Sequence, residues 1–392
     1  SYAAPPPPHR SHRLRLVAAG TALVVVAVAG GLGFAMGRWH HGSQPAAGGG
    51  RSFSAPNGEG RTPFGDGGTS PFGGTPFSGP GEQEGSPFGS SADRTPASTD
   101  QLTGLVRVAA TLKYQGGKAA GTGMVVTRSG EVITNHHVVE GATRIQVKVM
   151  STGQSYRASV IGTDAKDDVA LLQLKNAAGL ATVTTDTSPV SVGDAVTAVG
   201  DAGGSTSTFS AAAGKVTDTS RRITTHSQDG HSSEKLRGLI EISSDVISGD
   251  SGGATYDDQG EVVGMTTAAS SGSSDVVGYA IPIAKVLRIA DDLEQGTQNA
   301  RYEYGAPAFL GLGLQGSGTT VSGVYPGTPA ARAGVTAGDT VTRVGSTRVT
   351  TASALKSAIT TYSPGDRVRI VWADADGTSH IATVRLMSGP VA

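Results

Sequence analysis

The chain has 392 residues, room for two or three domains, with a formal net charge of −1 and only 16% charged residues, so no overall basic field marks a nucleic-acid binder. It contains no cysteine, which excludes thiol catalysis, disulfides and cysteine-ligated zinc. Its 58 glycines are unevenly spread, and their distribution helps to divide the chain.

Residues 1–15 hold Arg10, Arg13 and Arg15, and Leu16–Gly37 then follow without a charged residue. As a helix at about 1.5 Å per residue, that run reaches roughly 33 Å, enough for a bilayer core. A cleaved signal peptide is the rival reading, but its apolar region is usually about 7–15 residues. The expectation is therefore a transmembrane helix over 16–37 in contact with lipid. Arginines cluster before the run, while Arg38 and Arg51 are sparse after it. This places residues 1–15 in the cytoplasm and everything downstream outside.

Residues 38–98 are rich in Gly, Pro, Ser and Thr, with "TPFG", "SPFG", "TPFS" and "SPFG" recurring at 62, 70, 75 and 86. Apolar residues this isolated cannot bury a core, so the segment reads as a disordered tether. The Pro-Phe units are the one feature a plain spacer does not need.

From 99 to 295, short β-branched and alternating runs such as "EVITNHHVV", "RIQVKVM", "VALLQL" and "EVVGMTT" are separated by turn residues. That spacing predicts a β-barrel or sandwich. A helix is expected over 283–295. Residues 305–388 form a separate small block with strands such as "RVRIVW" and a helix around "SALKSAI".

Within the β-rich block, "SGDSGG" at 248–253 surrounds Ser251 with glycine. A hydroxyl needs an imidazole to take its proton, and that imidazole needs a carboxylate to fix its tautomer. "VITNHHVV" supplies His136 or His137 as the base, and "DDVALLQL" supplies Asp167 or Asp168 as the orienter. The order His, Asp, Ser is that of chymotrypsin-type double-barrel proteases. The backbone amides of Gly249 and Ser251 are expected to form the oxyanion hole. Adjacent histidines without a third ligand make a poor metal site, so neither metal nor cofactor is expected. Asp245, six residues before Ser251, is a candidate for the base of the S1 pocket, where a carboxylate selects Arg or Lys. The rival placement turns it to solvent or a turn cap.

These residues resemble the HtrA/Deg family of membrane-anchored serine proteases with a PDZ domain. The resemblance rests on "GTGMVVTRSGEVITNHHVV", "DDVALLQL", "TAVGDAGG" and "GYAIPI" as well as on the nucleophile turn. It implies His137 as base and Asp168 as orienter. "AFLGLGL" and "GTPAARAGVTAGDTV" resemble a PDZ domain, in which Phe309, Leu310, Gly311 and Leu312 offer amides to a peptide C-terminal carboxylate. One departure stands out, for the family usually has Asn where this chain has Asp250. In trypsin-like zymogens an Asp there pairs with a freed N-terminus, whereas here a backbone amide or His136 is the expected partner.

The expected fold is mostly β: a chymotrypsin-like double β-barrel and a small α+β PDZ domain, behind one transmembrane helix and a tether. The expected function is an extracytoplasmic, membrane-anchored serine endopeptidase acting on misfolded or signalling envelope proteins. Its partners are polypeptide substrates, peptide C-termini and the bilayer, with a homotrimer as an assembly the resemblance leaves open. The alternative is a catalytically silent PDZ-based binding or chaperone protein.

Overall fold

The computed structural model describes residues 22–25, 94–203, 208–226, 233–269 and 277–392. The expected cytoplasmic segment 1–15, most of the span 16–37 and the tether up to residue 93 lie outside them. Of the apolar run only Ala22–Val25 (β1) is described, as a strand paired in parallel with Ile223–His226. Among the described residues no helix is long and apolar enough to cross a membrane.

The folded part starts earlier than residue 99. Arg94–Pro96 (β2) is a strand paired with residues 210–212, and Ala97 is buried. Arg-Thr-Pro has no strand pattern of its own, so only the distant pairing reveals it.

Six strands build the first barrel: β3 (Leu105–Leu112), β4 (Gly117–Val125), β5 (Glu131–Thr134), β6 (Arg144–Val149), β7 (Ser155–Asp164) and β8 (Val169–Leu174). They pair antiparallel in the ring β3-β4-β5-β8-β7-β6 and back to β3. Alternation sets the facing: β6 buries Ile145, Val147 and Val149 and turns Arg144 and Gln146 outward, the two-residue period of a half-buried strand. A single helical turn, α1 (His136–Val139), leaves β5 at the barrel rim.

The second ring consists of β9 (Ala195–Gly200), β10 (Ser210–His226), β11 (Ser233–Ile242), β12 (Ala254–Tyr256), β13 (Val262–Ala269) and β14 (Gly278–Pro282). Its order is β9-β10-β11-β14-β13-β12 and back to β9. Helix α2 (Ile283–Glu294) follows and buries Ile283, Val286, Ile289, Ala290 and Leu293, a stripe at helical spacing. The chain then returns to the first barrel, where β15 (Tyr302–Tyr304) pairs with β7.

The C-terminal block has its own core around Leu355, Val341, Ile370 and Trp372. Its elements are β16 (Ala308–Phe309), β17 (Leu312–Leu314), β18 (Val321–Val324), α3 (Pro329–Ala333), β19 (Thr340–Val344), β20 (Thr347–Arg348), α4 (Ala352–Thr360), β21 (Arg367–Ala373), β22 (Ser379–Arg385) and β23 (Met387–Ser388). "GTPAARAG" folds as its residues dictate: Thr328 caps α3, Pro329 opens it, and Gly334 closes it at φ 87°.

Candidate active site

His137 and Asp168 meet at the rim of the first barrel. His137 Nδ1 lies 2.9 Å from Asp168 Oδ2 and 3.1 Å from Oδ1, and its backbone N–H donates to Oδ1 at 3.0 Å. Asp168 reaches this position through a left-handed backbone, φ 55°, at the end of a short 3-10 turn. Asn135 Nδ2 holds the Asp168 carbonyl at 2.9 Å. Burial alone pushes the Asp168 carboxyl up, yet the charge and hydrogen bonds of His137 and the Thr267 hydroxyl hold it below the ordinary carboxylate value.

The neighbours of both residues do other work. His136 is buried with Nε2 3.0 Å from the Ala392 carbonyl. Asp167 pairs with Lys285 and Arg301. Of the two histidines and two aspartates, His137 and Asp168 are the ones whose side chains meet.

Ser251 comes from the second barrel and is joined to that pair through Thr267 on β13. Its Oγ donates to the Thr267 carbonyl at 3.3 Å, and the Thr267 hydroxyl donates to Asp168 Oδ2 at 2.5 Å. Thr122 on β4 ties the barrels together at the same place. Its N–H donates to the Ser251 carbonyl and its hydroxyl to the Gly249 carbonyl. Neither threonine is marked in the sequence, where each looks like an ordinary strand residue in "GTGMVV" or "GMTT". Only the fold shows what their polar atoms face.

The turn before Ser251 has its direction fixed. Gly249 sits at φ 100°, and a Cβ there would come within 2.0 Å of the Asp201 carbonyl oxygen, so only glycine fits. The Ser248 carbonyl accepts from the Gly203 amide at 2.8 Å. That carbonyl and the Gly249 N–H share one planar trans peptide and point opposite ways. The Gly249 N–H is thereby aimed away from Gly203.

Asp250 is buried and faces Arg94, not His136. Arg94 Nη2 lies 3.1 and 2.9 Å from its two oxygens, and the Ile247 amide donates to Oδ2 at 2.9 Å. Burial dominates, and the Asp250 carboxyl is pushed up to about 6 in spite of Arg94. Asp245 gives its carbonyl to Arg94, and its buried Oδ1 has no hydrogen-bond partner among the described residues.

In the C-terminal block, Phe309, Leu310, Gly311 and Leu312 form one side of an apolar cleft of about 290 Å³ whose other side is α4. Gly311 has φ 85°, and its carbonyl accepts from the Tyr325 amide and the Thr328 hydroxyl. Phe309 packs on Tyr114 of the first barrel with ring centroids 4.9 Å apart. The chain's own Pro390, Val391 and Ala392 also line the cleft, and Val391 pairs with residues 141–142 beyond α1. The return lies beyond the expected boundary at 388, and the sequence carries no local signal for it.

Two barrels with this site, followed by such a block, define a trypsin-like serine peptidase carrying a PDZ domain. The trypsin-like peptidase domain family matches residues 121–265 and the PDZ domain family matches 320–374. Over 291 residues the chain is 32% identical to the serine protease Do-like HtrA of Lactococcus lactis subsp. lactis, covering 68% of this chain and 70% of that protein. It is 33% identical to the periplasmic pH-dependent serine endoprotease DegQ of Escherichia coli, over 64% of this chain and 55% of DegQ. It is 29% identical to E. coli DegP, the periplasmic serine endoprotease, over 64% and 54% of the two chains. The chain belongs to the HtrA family of serine proteases.

Proposed function

We propose that Ser251, His137 and Asp168 are the nucleophile, base and orienting acid of an acyl-enzyme endopeptidase. The arrangement that carries this reading is Asp168 taking both the ring and the amide of His137 while Thr267 joins it to Ser251. In acylation the Ser251 hydroxyl swings from the Thr267 carbonyl, gives its proton to His137 Nε2 and attacks the scissile carbonyl carbon. The Gly249 and Ser251 amides meet the oxyanion. Collapse breaks the C–N bond, and the amine leaves with the proton from the imidazolium. Water then repeats the sequence at the ester and frees the acid.

The same proposal takes the protease as a single-pass membrane protein anchored through 16–37, N-terminus in the cytoplasm, acting outside the membrane on misfolded or signalling polypeptides. The uncharged Leu16–Gly37 run behind three arginines supports that placement, in which Ala22–Val25 leave their pairing with β10 for the bilayer. The Phe309–Leu312 loop receives peptide C-termini, supported by the apolar cleft beside it. Asp245 faces the S1 pocket and favours Arg or Lys at P1, supported by its buried Oδ1, which has no hydrogen-bond partner among the described residues. Casein digestion by the wild-type chain, lost in Ser251→Ala with folding intact, tests the catalytic reading. Undiminished digestion by that variant removes it. For P1, kcat/KM with matched Arg, Lys, Val and Ala peptides should favour the basic pair in wild type and lose that preference in Asp245→Ser. A Val or Ala preference in both proteins removes the S1 assignment.

A further inference from the structure

The residue beside the nucleophile is a buried acid whose counter-charge comes from outside both barrel rings. Asp250 is 1% exposed, and an ionised carboxylate at that depth needs a cation and hydrogen bonds. The second barrel supplies one of these, the Ile247 amide. The cation is Arg94, itself nearly buried with a side chain 8% exposed.

Arg94 holds more than the carboxylate. Its Nη1 donates to the Asp245 carbonyl, while Nε and Nη2 lie 3.1 and 2.7 Å from Ser210 Oγ. One planar guanidinium thus binds both ends of the 245–250 turn and anchors them to β10, a use of its forked donors that an ammonium cannot reproduce fully. The same turn carries Gly249 at φ 100°, whose amide the serine-protease reading assigns to the oxyanion.

The delivery is slight. Arg94 lies on the three-residue strand β2, paired along one edge with Ser210–Ala212, and the Ala97 amide adds one bond to the Phe209 carbonyl. A strand so short gains little from its own backbone pairing.

We infer that Arg94 is a positioning residue of the catalytic site, and that docking of β2 is the latch that sets the oxyanion-binding turn through Asp250. Arg94 touches no reacting atom. It acts by neutralising and orienting Asp250, so a chain cut between Ala97 and Leu105 that sheds β2 loses turnover while keeping Ser251, His137 and Asp168. The inference rests on the serine-protease reading above and adds a control element to it.

The test uses the full chain with a peptide substrate, comparing wild type, Arg94→Ala, Arg94→Lys and Arg94→Ala with Asp250→Asn. Arg94→Ala should lose about 100-fold in kcat, as when an oxyanion donor is removed, with KM little changed. Arg94→Lys should recover part of this, and millimolar guanidinium should raise the kcat of Arg94→Ala without affecting wild type. Replacing Asp250 by Asn in the Arg94→Ala chain removes the uncompensated charge and should restore most of kcat. A role in packing alone predicts neither rescue. Wild-type kcat in Arg94→Ala, or an equal loss in the single and double variants with no response to guanidinium, overturns the inference. If Arg94→Ala does not fold, Asp250→Asn is compared with the double variant: equal kcat supports the latch, and a further large loss overturns it. An inert wild type removes the protease reading and the latch together, whereas an active wild type indifferent to Arg94 removes the latch alone.

Discussion

Thr267 bridges Ser251 and Asp168 with two atoms of one residue, its carbonyl accepting from the serine and its hydroxyl donating to the carboxylate. The hydroxyl helps to keep Asp168 ionised in a site where burial opposes the charge. Thr267→Val keeps the carbonyl and the shape but removes that donor. It should lower kcat/KM about 10-fold, equivalent to roughly 1.4 kcal/mol. Thr267→Ser, which keeps the hydroxyl, should stay close to wild type. Steady-state kinetics on the two variants check this, and equal activity in both would show that the hydrogen bond is dispensable.

Asp250 gives the protein a distinctive pH response. Its pKa rises from the ordinary value near 3.9 to about 6 in the fold. Between those values the native state holds a proton that the unfolded state has lost, so this group's contribution to stability is full below the lower value and is lost as pH rises through the upper one. Asp250→Asn has no such ionisation. The Tm of Asp250→Asn relative to wild type should therefore climb between about pH 4 and pH 6 and level off above. Thermal unfolding across that range checks it, and a parallel pair of curves would contradict the assignment.

The PDZ loop depends on Gly311, where φ is 85° and a Cβ would fall 2.2 Å from Thr328 Cβ. Gly311→Ala should abolish capture of a peptide with a free C-terminus and lower Tm, since neither the angle nor the space admits a side chain. Wild type should bind the same peptide much less well when it is amidated, because the loop amides lose their charged acceptor. Fluorescence anisotropy with the two peptide forms measures both effects. Equal binding of both forms would exclude carboxylate capture.

Much of this architecture is legible in the sequence because local rules suffice for it. Alternation in "RIQVKV" gives the facing of β6, and "GTPAARAG" spells the cap, start and stop of α3. Ser251 is announced by its glycines. His137 is separated from His136 in the sequence only by resemblance, since two adjacent imidazoles at one strand exit offer the same chemistry. What escaped are contacts between distant residues: Arg94 with Asp250, Thr122 with Gly249, Thr267 with Asp168, and Val391 with Ala142. Arg94 in particular lies in a stretch whose composition says tether, and nothing within "ADRTPA" tells of a carboxylate 156 positions on.

The central claim, that Ser251 is the nucleophile activated by His137 and Asp168, is tested most directly by locating a fluorophosphonate adduct by mass spectrometry. Wild type and His136→Ala should each carry one adduct, on the peptide that contains Ser251. His137→Ala should react slower by about 10³-fold or more, and Ser251→Ala not at all. An adduct on another residue, or rapid labelling of His137→Ala with none of His136→Ala, would contradict the account.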